Sequence, residues 1–147
     1  MKVVVQRCKN SSVEVDGKLI SKIDKGLMVL VGFTHDDTKK DMEYLVNKVV
    51  NLRVFEDENG VMNKSVIDED GEILCVSQFT LYGDASKGNR PSYINAMRPE
   101  EATKMYDEYC EMLNEKVPTK KGVFGADMKV SLINDGPVTI IIESKKG

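Results

Sequence analysis

The sequence has no tryptophan, one histidine and three cysteines. A single histidine, His35, excludes every site that needs two or more imidazoles, the His-Glu-x-x-His zinc hydrolases among them. Cys8, Cys75 and Cys110 are odd in number, far apart and without a Cys-x-x-Cys pair. Neither a disulfide framework nor a zinc knuckle follows, so no metal and no cofactor is expected. Cys75 lies in an apolar run and is expected to be a small core filler. Long apolar runs are missing too. No stretch approaches the roughly 20 residues of a membrane-spanning helix. The start, Met1 to Arg7, is too short an apolar run for a signal peptide, and Glu143 to Gly147 has no prenylation cysteine. A cytosolic protein with no membrane partner is expected. Positive charge is not in excess: the net charge is −3 and the isoelectric point about 5.3. That argues against a protein that coats nucleic acid nonspecifically. It leaves room for a local basic patch, either Lys87, Arg90 and Arg98 or Lys116, Lys120, Lys121 and Lys129, set against the alternative of scattered solubilising lysines.

What is present reads as one domain over 1–147, with 41% hydrophobic and 31% charged residues. Val13-Glu14-Val15 and Leu19-Ile20 flank Asp16-Gly17, a hairpin signal. Gly26 to Phe33 is an apolar run of strand length. Asp36-Asp37-Thr38 supplies helix-capping residues, and behind them Met42, Leu45, Val46 and Val49 draw the stripe of an amphipathic helix. Glu58-Asn59-Gly60 is a turn, and Glu72 to Leu81 reads as a second buried strand. Pro99-Glu100-Glu101 opens another helix, whose buried stripe is Ala102, Met105, Tyr106, Tyr109, Met112 and Leu113. Met128 to Ile133 and Val138 to Glu143 read as two closing strands joined by Asn134-Asp135-Gly136-Pro137. The fold class is α+β: a strand-rich domain with mixed, barrel-like sheet layers and two principal amphipathic helices.

Familiar catalytic motifs fail. Gly83 to Arg90 has P-loop-like glycine spacing, but Asn89-Arg90 stands where Lys-Ser/Thr is required, and there is no Gly-x-Ser-x-Gly. His35 sits among capping residues and reads as a solvated loop histidine. Two segments stand out. Ser77-Gln78-Phe79-Thr80 brings polar side chains to the carboxyl end of an otherwise apolar strand. A buried hydroxyl or amide without a partner costs about 1–3 kcal/mol, so these groups must either bond a neighbouring turn or face a cavity. Asn134-Asp135-Gly136-Pro137-Val138-Thr139 is turn chemistry by composition. A Gly-Pro peptide there can also be cis, which would turn both flanking carbonyls in unusual directions.

At these segments the sequence resembles the D-aminoacyl-tRNA deacylase family, also called D-tyrosyl-tRNA deacylase. The likeness runs through Val5-Gln6-Arg7, Ser11 to Val15, Lys25 to Gly32, Met62-Asn63, Ser77 to Leu81, Arg90-Pro91-Ser92, Phe124 to Met128 and Asn134 to Thr139. The resemblance implies a homodimer whose active sites lie at the subunit interface and whose partner is the 3′ end of aminoacyl-tRNA. Ser77, Gln78, Phe79 and Thr80 would line the site at the ester carbonyl. Gly136 and Pro137 would form a Gly-cisPro element that enters the mate's site and rejects L-amino acids, with Arg7 supporting it. Phe124 and Met128 would belong to the pocket for the terminal adenosine, a base that an aromatic face can stack.

An aminoacyl ester is already activated, so its hydrolysis needs positioning and oxyanion donors more than a strong nucleophile. Backbone N–H groups near Phe79 and Thr80 would be those donors. Thr80 has no lysine or histidine in its motif to activate it, which favours the ribose 2′-hydroxyl of the RNA as the group that orients or activates water. If the carbonyls of Gly136 and Pro137 fix the ammonium, an L side chain meets the protein wall while glycine escapes rejection. Two rival readings make different demands. A non-catalytic tRNA-binding module would leave aminoacyl esters intact. A small-molecule hydrolase using Thr80 or Ser77 would depend on His35.

Overall fold

Asp16 and Gly17 take φ values of 50° and 77°, the left-handed pair that a two-residue hairpin turn demands. They join β1 (Lys2–Val15) to β2 (Lys18–Gly32) in a computed structural model that describes residues 1–145. The two strands pair antiparallel from Lys2↔Gly32 to Val15↔Lys18. The hairpin arm at 19–20 and the apolar run from Gly26 are thus parts of one long strand.

Thr38 caps α1 (Lys39–Asn51), and the Asp41 carboxylate accepts the Thr38 N–H at 2.8 Å, one half of a capping box. Met42, Leu45, Val46 and Val49 form its buried face, as the periodicity predicts. The Glu58-Asn59-Gly60 turn separates β3 (Phe55–Glu56) from β4 (Met62–Lys64). The next strand, β5 (Glu72–Ser77), runs parallel to β2. Pro99 begins α2 (Pro99–Asn114), which buries Ala102, Tyr106, Tyr109, Cys110 and Leu113 and leaves Met105 and Met112 half-buried at the edge of the core. β6 (Thr119–Lys121) lies parallel to β5, and β7 (Lys129–Glu143) lies antiparallel to β1.

The sheet order is β6-β5-β2-β1-β7, a mixed sheet because β2, β5 and β6 run parallel. Strand alternation divides its side chains. Val3, Val5, Leu27, Val29, Ile73 and Cys75 join the helices in the larger core. Met28, Leu74 and Val76 face the other way, in a smaller cluster with Cys8, Val13 and Ile23. All three cysteines are buried and free, so Cys75 is core filler as expected. The Met1 ammonium is tied to Asp37 at 2.8 Å, with both groups buried. Among the described residues no helix is long and apolar enough to cross a membrane.

Two expectations are corrected. The strand expected over 72–81 ends at Ser77, because its partner β2 ends there: Val31↔Ser77 is the last pair and Gln78 N–H closes onto the Val31 carbonyl at 2.8 Å. The chain then turns into a short 3-10 segment, Phe79–Tyr82. The two closing strands are one strand. Asn134 to Pro137 does not reverse the chain, since residues on both sides of it pair with β1 in the same sense.

Candidate active site

A cavity of about 720 Å³ opens beyond the carboxyl ends of β2 and β5. Ser77, Gln78 and Phe79 form one wall, and Phe124 and Met128 form another. The chain brings them together because β5 runs out of sheet partner at Ser77, while 122–128 crosses back from β6 to β7. Tyr106 fixes that crossing. Its buried hydroxyl donates to the Cys75 carbonyl at 2.7 Å and accepts the Gly122 N–H at 3.0 Å. The Tyr106 ring also lies 6.0 Å from that of Phe124. Burial pushes the Tyr106 phenol well above its ordinary range, so it stays a neutral donor.

Thr80 is not part of the cavity wall. Its hydroxyl accepts a hydrogen bond from the Gln78 amide, within the turn itself. Both demands on the polar strand end are therefore met: Ser77 and Gln78 face the cavity, and Gln78 also bonds its own turn. The first backbone bond of the 3-10 segment is Leu81 N–H to the Gln78 carbonyl. The N–H groups of Phe79 and Thr80 precede it and have no partner within the segment.

Sequence reasoning missed part of the wall. Tyr93, Met97 and Ala102 line it, and the Tyr93 ring meets Phe79 edge-on at 5.1 Å. The Arg90-Pro91-Ser92 match and the basic candidates Lys87, Arg90 and Arg98 pointed to this loop, but not to these three residues. Of the basic candidates, Arg98 reaches the cavity. In the second group Lys120, Lys121 and Lys129 are engaged with Glu72, Asp107 and Asp127. Among the described residues, Arg98 and Asp127 are the charged residues of the wall, which includes neither lysine nor histidine. His35 sits in an exposed loop, with Nε2 2.7 Å from the Ile94 carbonyl, which leaves the His35-dependent hydrolase without its base.

Arg7, Gly136 and Pro137 are not part of that wall. Cys8 pairs with Asn134 and Gln6 with Thr139, so Arg7 alone of β1 stands opposite Asp135, Gly136, Pro137 and Val138 of β7. The Gly136–Pro137 peptide in this excursion is cis. Arg7, nearly buried, donates Nε to the Asp135 carbonyl at 2.6 Å and Nη1 to the Val54 carbonyl at 2.7 Å. Its Nη2 lies 3.7 Å from the Glu56 carboxylate. Gly136 has φ of 148°, and a Cβ there would fall 2.8 Å from Val138 Cγ2 and 3.0 Å from Arg7 Nη2. Only glycine fits.

The sheet register measures how far this excursion lies from Ser77. Arg7 pairs with Leu27 and Leu27 with Ile73, four residues before Ser77. Three ladder spacings separate β7 from β5, roughly 14 Å, and four residues add roughly 13 Å along the strand. Within one chain the two motifs do not meet.

The D-Tyr-tRNA(Tyr) deacylase family model matches residues 4–143. The chain is 59% identical to a D-aminoacyl-tRNA deacylase of Clostridium novyi (strain NT), covering 99% of both proteins. It is 55% identical to one of Thermosipho africanus (strain TCF52B), again over 99% of each. Among solved structures, the c-Myc DNA Unwinding Element Binding Protein superposes with a TM-score of 0.94 at 49% identity, covering 99% of this chain and 100% of that one. A "probable eukaryotic D-amino acid tRNA deacylase" superposes at 0.81 with 17% identity, over 97% of this chain and 98% of its own, a likeness of fold alone. The chain is an enzyme of the D-Tyr-tRNA(Tyr) deacylase family, a hydrolase acting on ester bonds.

Proposed function

We propose that the chain, acting as one domain over 1–147, edits aminoacyl-tRNA in the cytoplasm. It releases D-amino acids and glycine from the 3′ end and spares the L-forms. The observation that carries this reading is the cavity that joins Ser77, Gln78 and Phe79 to Phe124 and Met128 without a lysine or histidine in its wall. A site of that kind suits a substrate that brings its own activation. The terminal adenosine stacks at Phe124 and Met128, and the ester carbonyl lies at the turn that begins with Phe79. Water, oriented by the ribose 2′-hydroxyl, adds to the carbonyl carbon. The N–H of Phe79, which lines the cavity, takes the developing oxyanion, and the tetrahedral species expels the 3′-oxygen, which leaves with a proton.

Discrimination is assigned to Gly136 and Pro137 of a second copy. The separation between these residues and Ser77 within one chain supports a homodimer in which each excursion enters the mate's cavity. β7 is an edge strand with Ile133 and Ile141 exposed, the kind of apolar edge that a partner covers. The carbonyls of Gly136 and Pro137 receive the substrate ammonium, a D side chain points away, and an L side chain collides.

The test is hydrolysis of D-tyrosyl-, L-tyrosyl- and glycyl-tRNA measured side by side, with the mass of the protein in solution. The expected result is release from the D- and glycyl forms by a dimer. Binding of all three without hydrolysis would make the protein a tRNA-binding module, and equal D and L rates would remove the chiral assignment. A fully active monomer would end the shared-site scheme.

A further inference from the structure

Asn134 is the last residue of β7 paired with β1 before the excursion, and Thr139 is the first paired after it. The side chain of Asn134 spans that gap. Its Oδ1 accepts the Val138 N–H at 2.8 Å, and its Nδ2 donates to the Thr139 hydroxyl at 3.0 Å. Gln6 Nε2 reaches the same hydroxyl at 3.5 Å. From β1, Arg7 holds the Asp135 carbonyl. The excursion is therefore gripped at its first carbonyl by Arg7 and at its last N–H by Asn134. Gly136 and Pro137 are left exposed between the two grips.

We propose that Asn134 is a positioning residue for chiral discrimination, one that sets where Gly136 and Pro137 stand relative to the bound ammonium. The assignment rests on the Gly136–Pro137 reading given above. Rejection of an L side chain by collision works only if the colliding backbone cannot retreat, and a displacement of about 1 Å is enough to lose a positioned contact. Residues 135–138 have left the ladder and have no strand partner to hold them. An amide suits the task because one planar group offers an acceptor to Val138 and a donor to Thr139. A carboxylate meets the same geometry, since the Thr139 hydroxyl can turn and donate to it. Alanine meets neither bond.

The test is kcat and KM on D- and L-tyrosyl-tRNA for the full chain, Asn134→Ala, Asn134→Asp and Thr139→Val, with oligomeric mass and melting temperature for each. Asn134→Ala is expected to lower the D-over-L ratio of kcat/KM by about tenfold, as the loss of a positioned bond pair implies. Asn134→Asp should restore most of that ratio. Thr139→Val, nearly isosteric, should lower it in the same direction and decides the matter if Asn134→Ala does not fold. A residue that merely stabilised the fold would lower both rates together and leave the ratio unchanged. An unchanged ratio in Asn134→Ala and Thr139→Val, beside a wild type that prefers D, overturns the assignment of Asn134 alone. A wild type without D preference overturns the reading on which it rests.

Discussion

Arg7 donates its Nε to the carbonyl of Asp135 at 2.6 Å, from a strand whose partner residue at that level has been displaced by the excursion. The guanidinium is nearly buried, and its other contacts are the Val54 carbonyl and the Glu56 carboxylate. Three elements, β1, β3 and β7, thus meet on one side chain. Arg7→Ala leaves two carbonyls short of a donor and is expected to cost about 2–3 kcal/mol in urea unfolding. Arg7→Lys keeps the charge but not the fork that reaches two carbonyls at once. It should lose D-over-L selectivity at much smaller cost in stability. A lysine variant with wild-type selectivity would show that the fork is not needed.

The Tyr106 hydroxyl links β5 at Cys75 to the start of the 122–128 crossing at Gly122, next to the two sides of the cavity. Tyr106→Phe keeps the ring but removes a donor from the Cys75 carbonyl and an acceptor from the Gly122 N–H, which keep only their own 3.3 Å contact. A loss of about 0.5–1.5 kcal/mol is expected. Because Gly122 leads into Phe124, KM for aminoacyl-tRNA should rise more than kcat falls. If steady-state kinetics and thermal unfolding both match the wild type, the hydroxyl does not brace the cavity.

How much of this was legible in the sequence follows from the kind of signal involved. α1 and α2 were legible in place and period, because the stripes Met42–Val49 and Ala102–Leu113 repeat at a helical period and Thr38 and Pro99 mark their starts. The Asp16-Gly17 turn was legible from two residues. The end of β5 was not, since Phe79 and Leu81 continue the apolar alternation; what stops the strand is the end of β2, a fact of pairing. Asn134 to Pro137 has the composition of a turn, and only the ladder on both sides reveals one strand with an excursion. The family likeness singled out Ser77 and Gln78 for the ester and Phe124 and Met128 for the adenosine, and it is the fold that sets all four around one cavity. Tyr93 and Met97 follow no motif or period and come to the wall only through the loop's return to Thr34 and Phe33.

Part of the acid sensitivity should arise at the start of α1. Burial alone would raise the Asp41 carboxyl, but the Thr38 N–H, the Ser144 hydroxyl and the nearby Lys145 charge outweigh it and hold it below the ordinary value of 3.8. A carboxylate with a depressed folded pKa stabilises the fold fully above the unfolded pKa, and that stabilisation is lost as pH falls through the folded value. Asp41→Asn should therefore be less stable than wild type at pH 7, with the gap narrowing below about pH 4. Denaturant unfolding at a series of pH values measures it. A gap that stays constant down to pH 2 would assign the effect to packing instead of charge.

The last prediction concerns which hydroxyl serves the reaction. Thr80 lies outside the cavity wall and its oxygen is engaged by the Gln78 amide. Among the described residues the wall has no lysine or histidine to take its proton, and an unactivated alcohol is a weak nucleophile at neutral pH. The backbone N–H of Phe79, which lines the cavity, is by contrast independent of the Thr80 side chain. A ribose 2′-hydroxyl beside a 3′-linked ester is held within reach by covalent geometry, the proximity that makes intramolecular groups effective. Thr80→Ala should therefore keep most of the wild-type kcat. A D-aminoacyl-tRNA ending in 2′-deoxyadenosine, charged at the 3′ position, should bind with near-normal affinity and react at least about a hundredfold more slowly, within the range that a positioned proton-transfer group contributes. Single-turnover assays separate the two steps. An inactive Thr80→Ala together with a normally cleaved deoxy substrate would make Thr80 the nucleophile and end the RNA-assisted scheme.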